Sequence, residues 1–446
     1  MSTHVDHPRF TCALGGALSA ITALPRVIPI IHGSGGCGGN LHMAHYAGSG
    51  FYGAGYCGGT SLPGSNIVEH EVVFGGSERL SEQIRTTAEI MDGDLYVVVT
   101  ACMTDIIGDD IHAVVQEHRA NGLPVIGIET GGFKGNSYQG YDLLLEGLFR
   151  HYLQPAPVRE ERLVNLWGLV PGQDPFFRGD LLELKRLLGL LGLRVNTFFA
   201  PDETLDNLRS APVAAANLVV SRTYGVAPAR VFEERFGTPF RVVDLPVGAV
   251  ASARFLREVA AFLGLDSTAV EAVIAREEAL YYRILERSSD FFTDVDMQFH
   301  SVVVGNATTT LPVTRFLNEE LGWLTDLAVV SDAIDERFHG VVAEGSDRFE
   351  SGYRPTVVFE TDAGRIPVHL ARVWPPSNGD RYAPTFTPAY VLGSTLEGDL
   401  AAAIGARHLG ISYPLNSRVV LARGYAGYGG GLNLVEDLMS AAIPGR

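Results

Sequence analysis

The chain of 446 residues holds four cysteines, Cys12, Cys37, Cys57 and Cys102, all within its first quarter. A thiol can ligate soft metals once deprotonated, attack an electrophile, or fill a core as a small hydrophobe. Spacing helps to separate these uses. Zinc sites usually show paired C-x-x-C spacing and bacterial ferredoxins a compact cysteine run, and neither occurs here. A metal site would have to be assembled by the tertiary fold. Three thiols do not complete a cluster, so its other ligands would come from another chain.

Local context sharpens the picture. Residues 96–110 read YVVVTACMTDIIGDD. The Val- and Thr-rich run has the composition of a buried strand, and Cys102 follows it where the next helix should begin. The positive end of a helix dipole would stabilise a thiolate there. Cys37 lies in IIHGSGGCGGN, where glycines leave backbone N–H groups free to approach an anion or an inorganic sulfide. Cys12 sits in PRFTCALGGA, read as an irregular N-terminal segment. Cys57, in GAGYCGGTS, reads as an ordinary thiol. His32, His42, His45 and His70 read as structural or solvated groups, and Asp109 and Asp110 as caps on a helix facing its dipole. The glycine run at 427–431 lacks the lysine of a phosphate loop and reads as a turn.

These residues need a scaffold, and its rhythm is legible. Short β-branched runs, Gly-rich or polar turns and amphipathic helical stretches alternate along the chain. Examples are DLYVVVTACMTDIIGDDIHAVVQEHRANG, AANLVVS and HSVVVGNATTTLPVTRFLNEELG. Strands alternating with helices imply an α/β fold with parallel sheets covered on both faces, and ligands outside the carboxyl ends of the strands. Residues 267–287 are helical throughout and interrupt the alternation. The expected units are a cluster-binding α/β domain at 1–160, a second at 161–293 and a third at 294–446.

Composition narrows the function. A net charge of -17 argues against a nucleic-acid partner. Residues 13–31 are apolar, but Pro25, Arg26 and Pro29 interrupt them before a membrane span is complete, so a cytoplasmic protein is expected. No G-x-x-x-x-G-K-S/T loop is present, so any ATP would be hydrolysed by another protein.

Several stretches together resemble the β-type subunit of nitrogenase component 1. HGSGGC is similar to that family's His-Gly-Ser-Gln-Gly-Cys, and EHEVVFGGSERL to its Glu-x-x-x-Phe-Gly-Gly segment. TACMTDIIGDD resembles its Thr-Thr-Cys-Met-x-Glu-x-Ile-Gly-Asp-Asp, and ETGGFKGNSYQGYD the segment with Phe-x-Gly-Ser and Gly-Trp/Tyr-Asp. VNLWGLVPG, HSVVVGNATTTLPVTRFLNEELG and GYAGYGGGLNLVEDLM extend the likeness more loosely, to nearly the whole chain.

The resemblance implies three Rossmann-like domains and an α-type partner, usually in an α2β2 heterotetramer. It implies an eight-iron P-cluster shared with that partner, for which Cys12, Cys37 and Cys102 match the β-type ligands. It further implies a separate ATP-hydrolysing iron protein that delivers electrons, and an active-site iron–sulfur cofactor held by the α-type chain. No cysteine follows Cys102, so this chain is not expected to hold that cofactor itself. Departures bear on the substrate. Gly132 stands where the molybdenum enzyme has a serine that can ligate the oxidised cluster, Gly131 replaces a proline, and Gly135-Asn136-Ser137 replaces Gly-Ser-His. These departures resemble a nitrogenase-like reductase, of which methylthio-alkane reductase, cleaving carbon–sulfur bonds, is the favoured type. The alternatives are a true alternative nitrogenase, a cofactor-assembly scaffold and a cluster-free binding protein.

Overall fold

The computed structural model describes residues 5–50, 61–294, 297, 299–347, 349–375 and 388–443. Cys57 lies outside them. Among the described residues, twelve strands form three parallel sheets. The first has the order β1-β2-β3, from Val27–His32, Leu95–Thr100 and Val125–Ile128. The second has the order β5-β4-β6-β7, from β4 (Glu160–Trp167), β5 (Arg194–Asn196), β6 (Ala214–Val219) and β7 (Phe240–Val242). The third has the order β10-β9-β8-β11-β12, from β8 (His300–Gly305), β9 (Leu324–Val330), β10 (Thr356–Phe359), β11 (Tyr390–Gly393) and β12 (Arg407–Gly410). The fold is the α/β, parallel-sheet architecture that the alternation predicts.

The strands show why. Every residue of β2 is buried, because helices cover both faces of its sheet. Leu95, Val97 and Val99 enter the core that holds Leu14, Leu18, Tyr141 and Leu144. Tyr96 and Val98 point the other way, onto Leu80, Ile84, Ile111 and Val114. The period of two thus serves two helical layers, and each fully buried aliphatic side chain contributes about 1.5–3 kcal/mol relative to exposure. The first of these cores continues through Val164 of β4 and Val303 of β8, so one apolar body joins the three sheets.

The apolar stretch 13–31 resolves into the helix Ala13–Ala23 and strand β1. Among the described residues no helix is long and apolar enough to cross a membrane. Cys12 is the N-cap of that first helix, so the irregular segment ends there rather than running past it. The 427–431 glycines open the helix Gly427–Ala442 rather than form a turn. A β-carbon at Gly431 would lie 2.6 Å from the Cα of Gly248, so the glycine admits a neighbouring backbone.

Candidate functional site

Three rim segments meet at the carboxyl ends of β1, β2 and β3. Thr104 Oγ1 donates to the carbonyl of His32 at 2.8 Å, tying the helix Cys102–Ile107 to the end of β1. Thr130 Oγ1 donates to the Thr100 carbonyl at 2.9 Å, and Thr130 N–H to Thr100 Oγ1 at 2.9 Å, which ties the end of β3 to that of β2. A β-carbon at Gly33 would lie 2.4 Å from Cβ of Ala101, so the turn leading to Cys37 passes directly against the residue before Cys102.

Cys12 reaches this rim through a helix crossing. The helices Ala13–Ala23 and Ser137–His151 approach so closely that a β-carbon at Gly16 would stand 1.7 Å from the Ser137 carbonyl oxygen. At Gly140 it would stand 1.9 Å from that of Ala13. Glycine is required at both. The segments before the two helices are stitched as well, Ala13 N–H to the Gly135 carbonyl at 2.9 Å and Ser137 N–H to that of Thr11 at 2.8 Å.

The crossing brings Cys12 and Cys102 to one point. A β-carbon at Gly132 would lie 2.8 Å from Cys102 Sγ and 4.0 Å from Cys12 Sγ, and Gly132 N–H donates to Cys102 Sγ at 3.1 Å. The position that departs from the serine of the molybdenum enzyme is therefore the one facing both thiols. Cys37 lies in the first turn of the helix Gly35–Gly48, with its Sγ 3.7 Å from Ser34 Oγ. Among the described residues, nothing lies within 4 Å of a β-carbon placed at Gly36 or Gly39 of that helix. All three thiols are free and half-buried. Among the described residues, no three His, Cys, Asp or Glu side chains are grouped to hold one metal ion. Two converging thiols, with a third on the adjoining turn, are a donor set suited to soft metals.

Around the thiols the rim is held by polar clamps. His32 is fully buried, with Nδ1 3.0 Å from Ser65 Oγ and Nε2 3.1 Å from Asp109 Oδ2. The Asp109 carboxylate only accepts, so His32 carries its proton on Nε2, and Nδ1 of the neutral ring accepts from the Ser65 hydroxyl, whose oxygen accepts from Gly33 N–H. Burial lowers the His32 pKa, against the pull of Asp109. Asp109 also accepts from Gly76 N–H at 2.8 Å. Only Asp110 caps the following helix, accepting from Ala113 N–H at 3.0 Å, so the expected pair of caps divides into one cap and one tertiary clamp. Burial holds His45 neutral, with a pKa of about 4. His70 lies beside Glu71 at the surface, 3.5 Å away.

Sequence reasoning missed the anchor of the segment that leads to Cys12. Arg9 is buried, donating from Nη2 to Glu397 Oε1 and from Nη1 to Glu397 Oε2 at 3.0 Å and Ser394 Oγ at 3.2 Å. Asp6 and His7 donate their backbone N–H groups to the Asp362 carboxylate at 3.0 and 3.2 Å. Segment 5–12 is thus a strap from the third sheet's loops to the thiol rim. The one available signal was an arginine three residues from a cysteine.

Exposed apolar side chains border the rim. Val73 is 72% exposed, Phe74 76%, Ile106 71% and Phe133 74%. Val73 and Phe74 belong to the helix Glu69–Phe74, which packs on the helix of Cys102.

Residues 12–443 match the family described as nitrogenase component 1 type oxidoreductase. The chain belongs to this family. It is 23% identical to the nitrogenase molybdenum-iron protein beta chain of Methanococcus maripaludis, over 99% of this chain and 95% of that one. It is 28% identical to a light-independent protochlorophyllide reductase subunit of Staurastrum punctulatum, over 59% of this chain and 54% of that one. A solved structure titled "Nitrogenase Cp1 at pH 6.5" superposes with a TM-score of 0.79 at 16% identity, covering 99% of this chain and 94% of that one, a likeness of fold. The chain is accordingly an oxidoreductase subunit of the β-like kind.

Proposed function

We propose that this chain is the electron-relay half of a nitrogenase-like two-component reductase, with Cys12, Cys37 and Cys102 as its ligands to an eight-iron P-cluster shared with an α-type chain. The convergence of the Cys12 and Cys102 thiols on Gly132 carries this reading. A bound cluster would supply storage and transfer of electrons. The chain's own residues orient the ligands: the strap and the Gly16–Gly140 crossing aim Cys12, Thr104 fixes the helix of Cys102, and Gly132 N–H stabilises thiolate charge on Cys102. The exposed apolar side chains of Val73, Phe74 and Ile106 would be covered by the partner, because exposed apolar patches mark interaction surfaces. A separate ATP-hydrolysing iron protein would supply electrons, and the partner would hold the active-site iron–sulfur cofactor. An α2β2 assembly in the cytoplasm, with domains at 1–160, 161–293 and 294–446, completes the proposal.

For the substrate we propose reductive cleavage of methylthio-alkanes, in which two electrons and two protons convert R–S–CH3 to R–H and CH3SH. The departures at Gly131, Gly132 and Gly135–Ser137 support this choice. The nearly whole-length match to a nitrogenase beta chain favours a second reading, reduction of dinitrogen. The test is an anaerobic assay of the co-purified complex with an iron protein and ATP, offered a methylthio-alkane, dinitrogen or acetylene. Thiol release without ammonia or ethylene is the expected result. Ammonia formation without thiol release would replace the first reading with the second.

A further inference from the structure

Where the three sheets' outer elements meet, a cleft of about 1180 Å³ opens beside the strap, with Cys12 on one edge. The thiol chemistry above makes no use of it. Each sheet's surroundings contribute to it: Phe133 and Asp142 from the first, Tyr224 and Arg230 from the second, Phe338 from the third. Its walls combine apolar surface with polar and charged side chains.

Two of those polar groups are set for a ligand. Asp142 lies on the helix Ser137–His151, and its Oδ1 accepts from Gly225 N–H at 2.7 Å, at the head of the helix Val226–Phe236. The residue keeps part of its surface open to the cleft, yet its carboxyl sits deep in protein, and this desolvation raises its pKa to about 8. Near neutral pH it is mostly a neutral acid that can donate a hydrogen bond. Arg230, on the helix that Asp142 heads, is exposed and forms no ion pair among the described residues. A smaller cleft of about 510 Å³ shares Arg230 and Phe338 and adds the exposed Arg241, likewise without an ion pair among the described residues. Arg222, Arg230 and Arg241 outnumber the one carboxylate of the smaller cleft, Asp244, so positive charge gathers on the Arg230 side, while Glu146 and Asp335 line the larger cleft.

We propose that this cleft binds a small organic carboxylate, its anionic end at Arg230, its body against Phe133 and Phe338, and a carbonyl or hydroxyl oxygen toward Asp142. None of the named ligand contacts is to Cys12, a lining residue that takes no part in the binding proposed. Arg230 is exposed, so its replacement leaves the fold intact and isolates the ligand contact.

The test is calorimetric titration of the full chain, with any co-purified partner retained, using succinate, hexanoate and phenylacetate. Hexanamide serves as the neutral control and inorganic phosphate as the bare anion. The expected result is binding of at least one carboxylate with Kd below about 1 mM, weakened about tenfold or more in Arg230→Ala, as loss of a charge-assisted bond implies. Hexanamide should bind at least about tenfold more weakly than hexanoate. No carboxylate binding, binding indifferent to Arg230→Ala, equal binding of the amide, or phosphate binding as tightly as the carboxylates would each overturn the proposal.

Discussion

Two strand–turn–helix units of the same design end in opposite ways. After β8, the turn Asn306–Thr309 is sealed. Asn306 Nδ2 donates to Asp174, and its Oδ1 accepts from Thr308 and Thr309 N–H at 3.0 Å each. Thr308 Oγ1 donates to Ser221 Oγ at 2.9 Å, while Asp332 accepts from Ala307 N–H at 2.9 Å and from the Tyr224 hydroxyl. Tyr224 stacks on Tyr138 with ring centroids 4.5 Å apart. Side chains from around all three sheets thus close that turn. After β2, by contrast, the turn opens onto half-buried thiols and an exposed apolar border. One topology therefore serves as a keystone in the third sheet and as an open face in the first. The difference lies in whether the chain supplies the turn's partners itself.

The contrast can be broken by altering the strap that serves the open rim. Arg9→Met leaves Glu397 buried without its guanidinium, and loss of one partner from a buried pair costs about 3–5 kcal/mol. Denaturant unfolding should show this loss. A change within about 0.5 kcal/mol would mean that the strap is not anchored there.

The keystone comes next. Asp332→Ala leaves the Tyr224 hydroxyl and Ala307 N–H without their acceptor, at about 1–3 kcal/mol for each buried donor. The same carboxyl sets a pH dependence. Burial raises its pKa from 3.8 to about 7. The folded protein keeps that proton through a range in which the unfolded chain has already lost it. Its contribution is therefore fully present below pH 3.8, falls as pH rises toward about 7, and is flat above. Asp332→Asn should remove that part of the slope when unfolding is followed against pH. An unchanged slope would show that Asp332 is already ionised in the folded state.

The smallest stability effect belongs to the open face. Phe74→Glu with Ile106→Glu alters exposed side chains and should move stability by no more than about 0.5 kcal/mol. The same double variant should lose its α-type partner on anaerobic co-purification. Retention of the partner would place the interface elsewhere.

Legibility followed the range of the interactions. The run 96–100 was readable because continuous apolar composition reports burial on both faces, and Cys102 because a strand end and helix start are local features. The helical stretch near 267–287 was readable for the same reason, as the helix Ser267–Leu285. Asp109 was misread as a second cap because its partner, His32, lies 77 positions away, and Arg9 was missed because Glu397 lies 388 away. Gly16 and Gly140 each resemble an ordinary glycine in a helical pattern, and only the crossing shows why neither accepts a β-carbon. The thiols' sequence contexts pointed to iron–sulfur ligation through family likeness, while the convergence of Cys12 and Cys102 at Gly132 came from the fold.

The most direct measurement is iron and acid-labile sulfide in the chain purified anaerobically with its partner, wild type against Cys102→Ala, with circular dichroism as a check on folding. Cluster ligation by the three thiols predicts an iron-rich wild type and a folded variant stripped of most of that iron. An iron-free wild type, or a variant that keeps its full iron and sulfide, would contradict it.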